Sequence, residues 1–261
     1  MSVTKTTVKD IGQFKGHPGS LAALTAYDFP TARIVDDAGV PLILVGDSLG
    51  MVVLGYEDTT KVTMDDMLHH LKAVARADPK ALLAADLPYG SLRDMGTALS
   101  NSKRLVEAGA EAVKAEGGQK IAQMVHAIVE EGIAFLGHLG MLPQSVKETG
   151  GYRMYGKTEE EHMQLLDDAG ALVDAGAFAV VLELVHPEVA RDITKKIPIP
   201  TIGIGSGPWC DGQILVTPDL VRYTSGPVPR HVKTQADFGT ELSMAIGRWM
   251  AEMLEEGRKD A

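Results

Sequence analysis

Pro41-Leu-Ile-Leu-Val-Gly-Asp-Ser-Leu-Gly-Met-Val-Val-Leu-Gly-Tyr56 runs a short apolar stretch straight into a carboxylate and a hydroxyl. Leu42 to Val45 is too short for a helix and reads as a strand buried on both faces. Gly46 lets the backbone approach a neighbour closely. Asp47 and Ser48 stand where the strand stops, and Gly50 and Gly55 keep the following loop compliant. A strand ending in chemistry of this kind has the form of an active-site edge, and a single Asp there could equally cap a turn.

The same arrangement recurs along the chain. Asp37-Ala-Gly39, Glu107-Ala-Gly109, Glu131-Gly132 and Asp174-Ala-Gly176 each close a helical stretch, with Gly in the position that favours a left-handed backbone. Six to eight residues after each glycine a functional side chain ends an apolar run: Asp47, Glu116 with Lys114 before it, His138 and Glu183. A fifth run, Ala81 to Asp86, follows Asp78-Pro79 without a glycine and ends before Pro88-Tyr-Gly90. If these strands are parallel neighbours joined by right-handed crossovers, their ends share one rim. That rim is where (β/α)8 barrels carry out catalysis. Further strands are predicted at Leu21 to Tyr27, Pro200 to Ser206 and Gln213 to Val216.

Length and composition agree with that architecture. At 261 residues and 45% hydrophobic content the chain suits one α/β domain, a (β/α)8 TIM barrel over residues 1–261. A short leading helix within residues 7–16 precedes it, and an amphipathic helix with Leu242, Ile246, Trp249, Met250, Met253 and Leu254 on one stripe ends it. That stripe suits packing on the barrel or on another subunit. The net charge of −10, without a basic run, argues against a nucleic-acid partner. No apolar run is long enough for a bilayer, and Met1-Ser-Val-Thr-Lys-Thr-Thr7 lacks a signal-peptide core, so a cytoplasmic location without membrane contact is expected. Cys210 is the single cysteine, which excludes an intrachain disulfide and a thiolate zinc cage.

Two long connections interrupt the even spacing, Gly140 to Lys157 and Thr217 to Lys233, the second rich in Pro and Gly and suited to an irregular path over the surface or onto a neighbour. Gly140 to Lys157 is too long for a simple barrel loop and suits a lid or substrate loop. Gly203-Ile-Gly-Ser-Gly207 fits either a phosphate cradle or a tight close-approach turn. His69 and His70 are adjacent on the helix beginning at Met64, which Thr63 caps, so they point in different directions and make a poor metal pair.

Asp47, Asp86 and Glu116 offer hard oxygen ligands, which favours Mg2+ over Zn2+. Lys114 and Ser48 supply a cation and a hydroxyl for a carboxylate or enolate oxygen, and His138 can hydrogen-bond or shuttle a proton. Glu183, flanked by Val180 to Leu182, Leu184 and Val185, suits a general base. A 2-oxo acid chelated to Mg2+ and facing such a base describes enolisation.

Val45-Gly-Asp-Ser-Leu-Gly-Met-Val-Val-Leu-Gly-Tyr56, Ala85-Asp-Leu-Pro-Tyr-Gly90, Lys114-Ala-Glu-Gly-Gly118, Gly137-His-Leu-Gly-Met-Leu-Pro-Gln-Ser145 and Gly176-Ala-Phe-Ala-Val-Val-Leu-Glu183 closely resemble the ketopantoate hydroxymethyltransferase (3-methyl-2-oxobutanoate hydroxymethyltransferase) family. The similarity runs from about Leu21 to Val216. It implies a (β/α)8 barrel that transfers a hydroxymethyl group from methylene-tetrahydrofolate to 3-methyl-2-oxobutanoate through an Mg2+-stabilised enolate. The product is 2-dehydropantoate, in pantothenate biosynthesis. By motif, Asp47, Asp86 and Glu116 hold Mg2+. Asp47, Ser48, Asp86 and Lys114 contact the keto acid, with His138 beside them, and Glu183 accepts the proton. A homo-oligomer is implied as well. Tyr223-Thr-Ser-Gly-Pro-Val-Pro-Arg230 stands where the family continues into an aromatic-rich segment, which bears on oligomer or folate contacts. The alternatives are another Mg2+-dependent oxo-acid lyase or mutase of the phosphoenolpyruvate/pyruvate barrels, or a non-catalytic keto-acid-binding barrel.

Overall fold

A computed structural model describes residues 4–146, 151–224 and 226–259. Its eight strands run β1 Leu21–Thr25, β2 Leu42–Val45, β3 Leu82–Asp86, β4 Ala112–Glu116, β5 Ala134–Gly140, β6 Ala179–Glu183, β7 Thr201–Ile204 and β8 Gly212–Leu215. Each pairs in parallel with the next, and β1 pairs with β8, closing the barrel in chain order. Helices α1 (Val8–Gly12), α2 (Phe29–Asp37), α3 (Leu49–Val52), α4 (Met64–Ala75), α5 (Met95–Glu107), α6 (Ala122–Glu130), α7 (Glu159–Asp174) and α8 (Pro187–Lys196) accompany it. Residues 1–215 form one compact unit and residues 216–261 a second.

The glycines expected to stop helices do so. Gly39, Gly109, Gly132 and Gly176 all have positive φ, between 80° and 113°, directly after α2, α5, α6 and α7. After α4 the left-handed position falls on Asp78 at φ 47°, a residue type whose short polar side chain tolerates it. Helix starts are as local. Thr63 and Asp66 form a reciprocal capping box on α4, and Asp28, Asp94 and Thr158 cap α2, α5 and α7.

Alternation along the strands divides the core in two. Ile43, Val45, Leu83, Ala85, Val113, Phe135, Val180 and Leu182 join the layer between strands and helices. Leu21, Ala23, Leu42, Leu44, Leu82, Ala84, Ala112, Leu136, Val181, Ile202 and Ile214 fill the barrel interior, together with Ile11 of α1. Because side chains alternate with period two, continuing the interior set toward the C-terminal ends gives Asp86, Lys114, Glu116, His138 and Glu183.

The opposite end of the barrel is tied by Asp211, which is fully buried. Its carboxylate accepts from the Gly16 N–H (2.8 Å), the Thr201 N–H (2.9 Å) and Lys15 Nζ (3.2 Å). The neighbouring Cys210 is buried and its thiol is pushed up to about 11, chiefly by that burial, so it serves as core. No described helix is long and apolar enough to cross a membrane.

In the second unit, α9 (Thr217–Leu220) is a short turn with proline at its start, within a segment expected to be irregular. The Tyr223 and Phe238 rings meet edge to face, with centroids 5.4 Å apart, at the start of α10 (Phe238–Lys259). The apolar stripe on α10 is exposed at Leu242, Ile246, Trp249, Met250, Met253 and Leu254.

Candidate active site

The strand register places the functional ends side by side. Asp86 of β3 is level with Lys114 of β4, Glu116 with His138 of β5, and Gly140 with Glu183 of β6. Asp47, Asp86, Lys114 and His138 are all buried.

Lys114 Nζ donates to Asp86 Oδ1 at 2.7 Å, and the Asp47 N–H donates to Asp86 Oδ2 at 3.0 Å. Gly46 permits that second bond, since a Cβ there would lie 2.9 Å from Ser48 Oγ and 3.5 Å from Asp86 Oδ2. Beyond Asp47 the chain winds into α3 rather than an open loop. Ser48 Oγ shares a 2.8 Å hydrogen bond with the Tyr27 hydroxyl, and the Tyr27 carbonyl is bonded to His70 Nδ1 at 2.7 Å, which gives His70 a structural role.

Glu183 sits where β6 turns sharply. Leu184 has φ 47°, uncommon for a bulky residue, and the turn is held from several sides. Buried Ser206 bridges it, its hydroxyl donating to the Leu182 carbonyl (2.7 Å) and accepting from the Val185 N–H (2.9 Å). The Met141 N–H donates to the Glu183 carbonyl at 2.8 Å, and a Cβ on Gly140 would stand 2.3 Å from that oxygen. Ser206 bonds to β6 and Gly207 lies against Pro187, so Gly203–Gly207 approaches its neighbours closely.

His138 Nε2 is 3.2 Å from Glu183 Oε2, and Nδ1 is 3.9 Å from Glu116 Oε1. Neither ring nitrogen makes a directed hydrogen bond among the described residues. Burial, reinforced by Lys114, holds the imidazole well below its ordinary range, so it is neutral at pH 7. Burial also raises the acids. Asp47 is pushed up to about 7 by desolvation and the nearby Asp86 charge, and Glu116 rises well above its ordinary value through desolvation and Asp47. For Lys114 burial acts downward, but Asp86, Asp47 and Glu116 outweigh it, and the ammonium stays charged.

Two contributors escaped the sequence reading. Gln144 donates its side-chain amide to Asp47 Oδ2 (2.7 Å) and to the Leu87 carbonyl (3.0 Å), while its backbone N–H donates to Glu116 Oε2 (3.0 Å). Tyr27, the residue that holds Ser48, ends the first predicted strand, and its place there was the available signal. Of the Gly140–Lys157 connection, residues 147–150 lie outside the described residues. Within the rest, the Tyr152 phenol contacts Met51 Sδ at 3.9 Å. Burial and the carboxylates of Glu183, Asp47 and Glu116 push that phenol up to about 12.

The donors present are hard oxygens crowded out of water, which suits a divalent cation. Among the described residues no three His, Cys, Asp or Glu side chains form a closed metal cage, and Lys114 and Gln144 each hydrogen-bond to one oxygen of Asp86, Asp47 or Glu116. Mg2+ commonly binds through one or two carboxylates completed by water and substrate, and requires no such cage.

The family model described as ketopantoate hydroxymethyltransferase matches residues 5–257. This chain belongs to that family. The matched span includes the atypical Tyr223–Arg230 segment. A 3-methyl-2-oxobutanoate hydroxymethyltransferase of Ignicoccus hospitalis is 50% identical over 95% of this chain and 95% of its own length. Another of the same name from a Thermoanaerobacter species is 49% identical over 95% of this chain and 92% of its own. Among solved structures, 2,3-dimethylmalate lyase, described as a PEP mutase/isocitrate lyase superfamily member, aligns with a TM-score of 0.60. It covers 97% of this chain and 88% of that one at 18% identity, a likeness of fold alone.

Proposed function

We propose that this ketopantoate hydroxymethyltransferase family member is an enzyme that transfers a hydroxymethyl group from methylene-tetrahydrofolate to 3-methyl-2-oxobutanoate, giving 2-dehydropantoate for pantothenate synthesis. The observation that carries the reading is the convergence of Asp47, Asp86, Lys114, Glu116, His138 and Glu183 on one barrel rim, in a chain half identical to proteins of that name.

In this reading Asp47, Asp86 and Glu116 hold Mg2+, which when bound stabilises negative charge developing on the keto-acid oxygen. The buried Lys114 ammonium and the Ser48 hydroxyl, oriented by Tyr27, hold the keto acid through its carboxylate and carbonyl oxygens. The Glu183 carboxylate takes the proton from C3. Water releases the one-carbon unit from the folate at the formaldehyde level, both C–N bonds breaking and the two hydrogens of water going to the folate nitrogens. The electron pair of the C–H bond then forms the bond from C3 to that carbon, and the resulting alkoxide takes back the proton held by Glu183. Neutral His138, next to Glu183, is a poor base and a suitable hydrogen-bonding neighbour for the protonated acid.

Turnover with both substrates is the direct test. Product formation should require keto acid and methylene-tetrahydrofolate together, stop on chelation with EDTA and return on adding Mg2+. No product under complete conditions would overturn the activity, and undiminished turnover after exhaustive chelation would overturn the metal assignment.

The exposed apolar stripe of α10 supports a homo-oligomer, since contiguous exposed apolar surface commonly marks a contact face. Light scattering at micromolar concentration should show a particle several times 27.8 kDa. A particle of monomer mass would remove that reading. A cytoplasmic location belongs to the same proposal, and no described helix is long and apolar enough to cross a membrane.

A further inference from the structure

Gln144 is the residue through which the long connection after β5 reaches the acidic site. It lies in a single 3-10 turn, Pro143–Ser145, and is half-buried. Both N–H bonds of its amide are engaged, at 2.7 Å to Asp47 Oδ2 and 3.0 Å to the Leu87 carbonyl, and its backbone N–H reaches Glu116 Oε2 at 3.0 Å. One residue thereby fixes one oxygen of each of two carboxylates that stand on different strands, and anchors itself to the end of a third strand. The other oxygen of each carboxylate is untouched by Gln144.

Two carboxylates brought to one cation repel each other and need partners that fix their direction. Gln144 counters this with donors, since hydrogen bonds favour the charged form of a carboxylate. Carboxylates that ligate metals are ordinarily held by such outer partners, whose removal costs about 10–100-fold in metal affinity. From these contacts we infer that Gln144 is a positioning residue for the cation site: it orients Asp47 and Glu116 toward a shared divalent ion and so sets the affinity for that ion. This rests on the metal reading above, and it ties cation binding to the path of the Gly140–Lys157 connection.

The test is calorimetric titration of the metal-free protein with Mn2+ as the probe, comparing wild type, Gln144→Met and Asp86→Asn. Gln144→Met keeps the length of the side chain and removes both donors, while the backbone bond to Glu116 is preserved. Gln144→Met should weaken Mn2+ binding by about 10–100-fold with the thermal transition of the metal-free protein retained. Excess Mg2+ should then restore turnover, a rescue that a merely misfolded loop would not show. Unchanged affinity in Gln144→Met, with wild type binding Mn2+ and Asp86→Asn impaired, overturns this inference alone. Tighter binding also overturns it, since Gln144 would then be a competitor for the oxygen and not its guide. No Mn2+ uptake by wild type overturns the metal reading and this inference with it. If Gln144→Met proves unstable, Gln144→Leu carries the same question, since it too removes the amide donors and adds no carboxylate of its own. A Gln144→Leu protein that binds Mn2+ as wild type does would overturn the orienting role.

Discussion

In D2O with Mg2+, the wild-type protein should wash deuterium into C3 of 3-methyl-2-oxobutanoate without folate, and Glu183→Gln should do so roughly 10²–10⁴-fold more slowly. The exchange requires only a bound keto acid and a base, because proton removal precedes formation of the carbon–carbon bond. Gln keeps the size of the side chain, and the backbone that aims it is held by Ser206, Met141 and the tight approach at Gly140. Keto-acid binding should therefore survive the change while exchange does not. Should folate be needed to order the site, wild-type exchange will be slow, so a parallel series with tetrahydrofolate belongs in the measurement. Equal exchange rates for wild type and Glu183→Gln in both series would remove Glu183 as the base. Attention would then pass to His138, whose low basicity makes it the poorer candidate.

The residues whose roles in the fold were readable from sequence are those governed by local rules. Glycine at φ between 80° and 113° after α2, α5, α6 and α7 is a local conformational demand, and the functional side chain near the end of each following strand lies six to eight residues from it. Period-two alternation then puts Asp86, Lys114, Glu116, His138 and Glu183 on the interior face without further information. What eluded sequence depends on the path of the chain in space. Gln144 follows the end of β5 by several residues, and its contacts with β2, β3 and β4 come from a turn whose direction nothing local specifies. Asp78 and Leu184 occupy left-handed positions without being glycine, so composition gives no warning of either. The four-residue helices α3 and α9 are too short for a 3.6-residue period to show.

Replacing Lys114 by Met should destabilise the metal-free protein by about 3–5 kcal/mol, the usual cost of removing one partner from a buried ion pair. Methionine matches the unbranched stem of lysine, so the effect reports charge and not a cavity. The ammonium is bonded to Asp86 at 2.7 Å, with the two side chains 7% and 4% exposed, and it is the near cation that offsets Asp86, Asp47 and Glu116. Without it three desolvated carboxylates face one another, and they must take up protons or force the site apart. For a chain of this size the loss corresponds to a fall in Tm of roughly 6–20 °C. Mg2+ supplies the missing positive charge if it binds to the same carboxylates, so millimolar Mg2+ should recover a larger share of Tm in Lys114→Met than it adds to wild type. Thermal unfolding of both proteins with EDTA and with Mg2+ decides the matter. A variant as stable as wild type in EDTA would show that the carboxylates do not depend on Lys114. A deficit that Mg2+ leaves unchanged would show that the ion does not take its place among them.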